Sequence, residues 1–107
     1  MTGGPRGDYP AAPEPRDCAS LILKPTLSSP VPEVLSKLRK GQTLDVRLQG
    51  QKGPVFVETS DGETAGTVTG TALARLINCI REGFVFIAIV VSINGGQCIV
   101  EIRPRSA

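Results

Sequence analysis

Residues 84–102 read FVFIAIVVSINGGQCIVEI, and this stretch decides the fold. Its first ten residues hold nine apolar side chains and one serine. They are rich in aromatic and β-branched types, which suit a pleated, packed surface. Ten residues fall short of the roughly 20 that a helix needs to cross a bilayer, and extending the run backwards brings in Arg81 and Glu82. The run is therefore read as a buried strand. With apolar side chains on both faces, it predicts cover on both, a helix on one side and further sheet on the other. Asn94-Gly95-Gly96 follows as a hairpin turn, because positive φ costs little at Asn and Gly. Beyond it, Cys98, Val100 and Ile102 alternate with Gln97, Ile99, Glu101 and Arg103. The first set faces inward, Ile99 goes to the outer face, and Pro104 ends the strand by withholding a donor.

Working outward toward the N-terminus, TALARLINCIRE (71–82) puts Leu73, Leu76, Ile77 and Ile80 on one helical face. Ala72 and Cys79 widen that stripe, and Gly83 is its stop. Residues 43–48, 55–59 and 64–68 read as three short strands forming an antiparallel meander. In the first, Leu44, Val46 and Leu48 alternate with Thr43, Asp45 and Arg47. Ser60-Asp61-Gly62-Glu63 is a tight turn between the other two. Further back, SSPVPEVLSKLRKG (28–41) places Val31, Val34, Leu35 and Leu38 at helical spacing. Ser29 is its candidate N-cap with Pro30 at the first helical position, or Pro32 takes that role. Lys37, Arg39 and Lys40 then fall in the last turn and Gly41 just past it. CASLIL (18–23) predicts a short first strand, limited by Pro25. The expected fold is α+β: a small curved antiparallel sheet or partly open β-barrel of about five to six strands with two helices.

The 107 residues suit one domain, placed at 18–107. Residues 1–17 hold four Pro and three Gly with almost no large apolar group. Such a segment buries too little surface to offset its ordering entropy, so it is expected to be a disordered tail. Its Arg6-Gly7-Asp8 spells an adhesion tripeptide, but three residues recur by chance. The tail has no apolar core of a secretory signal, which points to a cytoplasmic chain with no membrane partner. Twelve Lys and Arg against ten Asp and Glu leave a net charge of +2, too mild to argue for nucleic acid by itself. Three cysteines, no CxxC and no histidine argue against zinc. They fit a reduced chain with buried thiols, leaving open whether Cys79 and Cys98 pair.

Without histidine the usual Ser or Cys catalytic arrangements are unavailable. Cys79 and Cys98 fall on apolar faces, as core residues do. Glu58, Asp61 and Glu63 gather near one turn, but no calcium-binding loop is present. No catalytic residue, metal or cofactor is expected. Gly66-Thr67-Val68-Thr69-Gly70 joins a strand to a helix N-terminus, where amides hold anions in other proteins; a close crossing plus a cap explains the same residues and is favoured. The expected function is a small non-enzymatic binding module whose protein partner, or a second copy, meets an unpaired sheet edge. The alternative is a small barrel that binds single-stranded DNA. There Arg39, Lys40, Arg47, Lys52, Arg75 and Arg81 meet phosphates and Phe56 stacks on a base.

The run DGETAGTVTGTALARLINCIREG (61–83) consists of a turn, a glycine-bearing strand, a small loop, a helix and a glycine. It resembles the middle of a HIRAN-type domain. That resemblance implies a small modified barrel, of a family found alone in bacteria and fused to DNA-remodelling enzymes, some members of which bind single-stranded DNA ends.

Overall fold

The computed structural model describes residues 15–105, so most of the expected tail lies outside the described residues. Its last three residues are described, and they open a short helix, α1 (Pro15–Ala19). A single turn, α2 (Pro32–Leu35), precedes the meander β1 (Thr43–Leu48), β2 (Val55–Glu58) and β3 (Thr64–Val68). Helix α3 (Leu73–Arg81) leads into the long hairpin β4 (Phe86–Asn94) and β5 (Gln97–Pro104). All five strands are antiparallel in the order β3-β2-β1-β4-β5, curled into a half-barrel. The α+β architecture expected from the hydrophobic patterning is the one observed.

Alternation builds the core. Leu44 on β1, Val55 and Val57 on β2, Phe86, Ala88 and Val90 on β4, and Cys98, Val100 and Ile102 on β5 all point into the curl. Helix α3 adds Leu76, Ile77 and Cys79, and α2 adds Val34 and Leu35. At 0–8% exposure for every core residue, apolar burial at roughly 25 cal/mol per Å² is the main stabilising term.

Three sequence expectations are corrected. Residues 18–23 do not form a first strand: Cys18 and Ala19 end α1, and a turn follows. Helix α2 stops at Leu35, so Lys37, Arg39 and Lys40 follow it rather than lining its last turn. Of the two starts expected for it, the one with Pro32 at the first helical position is observed, with Val31 as N-cap; Ser29, at φ 48°, lies outside the helix. The cysteines are not three free thiols. Cys18 and Cys79 form a disulfide with a Cα–Cα distance of 5.5 Å, tying α1 to α3, and Cys98 is free and buried. The inference of a reduced chain therefore loses its support.

The missing first strand has a counterpart. Residues 23–31 run along both open sides of the sheet, with a bend at Ser29. On β5, the amides of Leu23 and Leu27 donate to the carbonyls of Ile102 and Cys98. Those of Ile102 and Val100 donate back to Leu23 and Pro25. The chain then crosses to β3, where Ser28 and Thr67 exchange two bonds at 2.8 Å and the Val31 amide reaches the Ala65 carbonyl. The crossing is tight. A methyl group at Gly66 would lie 3.0 Å from both the Leu27 Cβ and the Ser28 carbonyl oxygen. The glycine between Ala65 and Thr67 is thus explained by the close crossing.

Candidate functional site

The convex outer face of the sheet is set by the residues that alternate with the core. On β1 these are Thr43, Asp45 and Arg47; on β5 they are Ile99, Glu101 and Arg103. On β4, at the centre of the face, Ile87 and Ile89 hold that position, continued by exposed Val85 before the strand and by Val91. A bulge between Val90 and Ser92 sets Val91 and Ser92 against Ile99. The tip is thereby turned so that Ile93, opposite Cys98, joins the core.

The face is thus an apolar stripe with charged margins. Each register level is defined by hydrogen-bonded neighbours. Thr43, Ile89 and Glu101 lie in one row, and Asp45, Ile87 and Arg103 in the next. The Arg105 amide bonds the Val85 carbonyl at 2.7 Å and extends the pattern one level further. Val85 is 53% exposed and Val91 37%. All the buried helix residues belong to the core inside the curl, so among the described elements no helix covers this stripe. The helix expected against β4 is found on its inner face, where α3 joins the core; the further sheet expected on the other face is not found among the described residues, and Ile87 and Ile89 there are half-buried. The polar outer residues of β1 and β5 were the signal, since strands that share a face share its exposure.

The charges on the margins are mostly engaged. Glu101 accepts bonds from Arg103, whose Nε lies 2.9 Å away, and pairs with Lys24 at 3.9 Å. The guanidinium of Arg47 donates from Nε and Nη2 to one Glu58 oxygen, at 3.1 and 2.8 Å. That hydrogen bond, followed by the attraction between the charges, raises the Arg47 pKa above its ordinary value. The Asp45 carboxylate is exposed and takes no hydrogen bond or ion pair among the described residues.

Of the residues singled out for nucleic acid, the structure brings together Arg47 and Phe56. The Arg47 guanidinium carbon lies 5.9 Å from the Phe56 ring centre on the outer face, within reach of a cation–π attraction. The rest are spread over separate elements. Arg39 and Lys40 lie between α2 and β1, Lys52 lies in the β1–β2 loop, and Arg75 and Arg81 lie on α3, all exposed. The carboxylates near the β2–β3 turn are divided between cations: Glu58 pairs with Arg47, and Glu63 pairs with Lys37 at 3.0 Å. No group of three or more His, Cys, Asp or Glu able to hold a metal ion occurs among the described residues.

A cleft of about 210 Å³ opens between Leu23–Pro25, the end of β3 and the start of α3. Its lining is largely Leu23, Pro25, Val68, Ala72 and Leu73, with Lys24, Thr69 and Thr71 alongside. The Thr69 hydroxyl already shares a 2.6 Å hydrogen bond with Ser28. Burial pushes the Cys98 thiol pKa up, which holds it in the unreactive neutral form.

No helix among the described residues is long and apolar enough to cross a membrane. No protein-family model, curated protein or solved structure matches this chain.

Proposed function

We propose that this protein is a non-enzymatic interaction module that presents the outer face of β4 to a protein partner. The observation that carries this reading is the apolar row Val85, Ile87, Ile89 and Val91 on the outer face of the sheet, exposed at Val85 and Val91 and half-buried at Ile87 and Ile89 between them. Contiguous exposed apolar rows with charged margins are a common form of protein contact surface. The hydrogen-bonding of both sheet edges by residues 23–31 argues against the edge as the contact and in favour of the face. A photo-crosslinking amino acid at position 91 tests it, with position 75 on α3 as control. Specific protein adducts from position 91 and none from position 75 are expected. No adduct from position 91 under conditions where the protein is expressed and folded would sink the reading.

A second reading, a small barrel binding single-stranded DNA, draws on the Arg47–Phe56 pair and on the likeness of residues 61–83 to HIRAN-type domains. Stacking on an aromatic ring beside a cation is a sequence-tolerant way to hold single strands. Fluorescence anisotropy with labelled oligonucleotides at two salt concentrations separates the readings. Binding that weakens with salt and is lost in Phe56→Ala would favour DNA; no binding at low salt would remove it.

A further inference from the structure

The segment that closes the sheet is held at its two ends by different means. At the far end Val31 is the N-cap of α2, whose Val34 and Leu35 lie in the core. At the near end stands α1, with five residues, too few to persist alone. Of residues 17–22 only Cys18 and Leu21 are buried, while Ala19, Ser20 and Ile22 are exposed. The covalent tie at this end is the bond from Cys18 to Cys79 on α3. Leu23, which opens the run of hydrogen bonds to β5, follows closely in the chain.

We propose that the Cys18–Cys79 disulfide is a redox lock on one edge of the sheet, the β5 edge. With the bond formed, residues 23–27 stay on β5. In the dithiol chain they peel away from the N-terminal side, as a segment tied down at one end does. The amides of Ile102 and Val100 then lose their acceptors, the carbonyls of Leu23 and Pro25. The β3 edge stays closed in both forms. Ser28 and Val31, bonded there to Thr67 and Ala65, run straight into α2 and need no sulfur to hold them. Oxidation thus decides whether β5 presents bare hydrogen-bonding groups to other strands.

The burial of the sulfurs fixes when the lock is set. Both are fully buried in the closed form, so neither meets a reagent there. In the dithiol chain Cys18 moves away with α1, and Cys79 is uncovered on α3. The oxidant is a disulfide, of a small molecule or a protein. One thiolate of the pair attacks it, one oxidant sulfur leaves as a thiolate, and a mixed disulfide forms. The second thiolate attacks the chain's own sulfur in that mixed disulfide, forms Cys18–Cys79 and expels the other oxidant sulfur. Two electrons pass to the oxidant, and the two protons of the original thiols go to the solvent or to the sulfurs released. Closure then buries the product, so the lock sets once. Cys98 is fully buried as well, on the strand that residues 23–27 lie along, and closure removes it from exchange.

The test is amide hydrogen exchange, residue by residue, in the oxidised chain and in a variant carrying both Cys18→Ala and Cys79→Ala. Thr67 is the internal control, because its amide donates to Ser28 on the opposite edge. In the oxidised chain Val100, Ile102 and Thr67 are expected to exchange at similar, slow rates. In the variant Val100 and Ile102 are expected to exchange more than about tenfold faster than Thr67. Equal acceleration of all three amides overturns the lock and makes the bond a general stabiliser. No acceleration overturns it too, since residues 23–27 then hold without the bond. A variant whose circular dichroism shows no sheet overturns it as well, because the bond is then a requirement of the whole fold. Thiol counting supplies the second measurement. The chain from its natural source, alkylated under denaturing conditions without reductant, is expected to react at one cysteine, Cys98. Reaction at all three would mean that the lock is never set, and would end the proposal.

Discussion

Gly66 and Cys98 show how much of this fold turns on single positions. At Gly66 the crossing segment comes so near that any side chain must push it away. Gly66→Ala is expected to destabilise the protein by about 1–3 kcal/mol, the range of an overpacked core, read as a lower denaturation midpoint with an unchanged slope. Gly62, with open space around its Cα, has no such neighbour. Cys98 is wholly buried, and its raised pKa favours the protonated thiol in the folded state. Above the ordinary thiol value of about 8.5 the unfolded chain releases this proton first. The contribution of Cys98 is therefore intact below that pH and is lost as pH climbs through the folded value. Cys98→Ala is expected to flatten this part of the alkaline loss in thermal melts. A native thiol that titrates with Ellman's reagent at the rate of the unfolded chain would contradict the burial on which the argument stands.

Among the elements, α1 is the most dependent on covalent support. It has five residues, too few to persist alone, and the Cys18–Cys79 bond fixes it to α3 across a separation of 61 residues. Closing so long a loop restricts the unfolded chain by an amount worth about 4 kcal/mol in the chain-entropy model. Cys18→Ser is expected to lower stability by up to that amount, while mild reductant leaves the native bond intact because both sulfurs are fully buried. The meander and the hairpin were legible because alternation and turn glycines specify them locally: the bounds read for β1 and β3 are those observed. The partnership of Cys18 was not legible, since spacing alone does not select among three cysteines. Helix α2 was overread because Val31, Val34, Leu35 and Leu38 are all used in packing, yet only part of that run is helical. The uncovered stripe was hidden for a different reason. An apolar run looks the same whether another element or another molecule covers it.

On the scale of the whole molecule, residues 23–31 turn a half-barrel into a sheet without open edges. Strands with unpaired edges invite uncontrolled pairing, and here the outward amides of Val100, Ile102 and Thr67 are all engaged by this one segment. Their hydrogen exchange is expected to be slow, near the rate set by global unfolding. Exchange at the rate of exposed loops would mean that the closure opens independently of the sheet. The same segment governs when the fold becomes available during synthesis. Leu23 leaves the ribosome well before its bonded partner Ile102 is made. Translation at ~5–20 residues per second leaves residues 23–27 waiting several seconds, with β4 also lacking β5 as its neighbour. A nascent chain interrupted before β5 therefore holds a strand, β4, and a segment, residues 23–27, without their partner, and becomes a substrate for chaperones or proteases until the β4–β5 hairpin is complete.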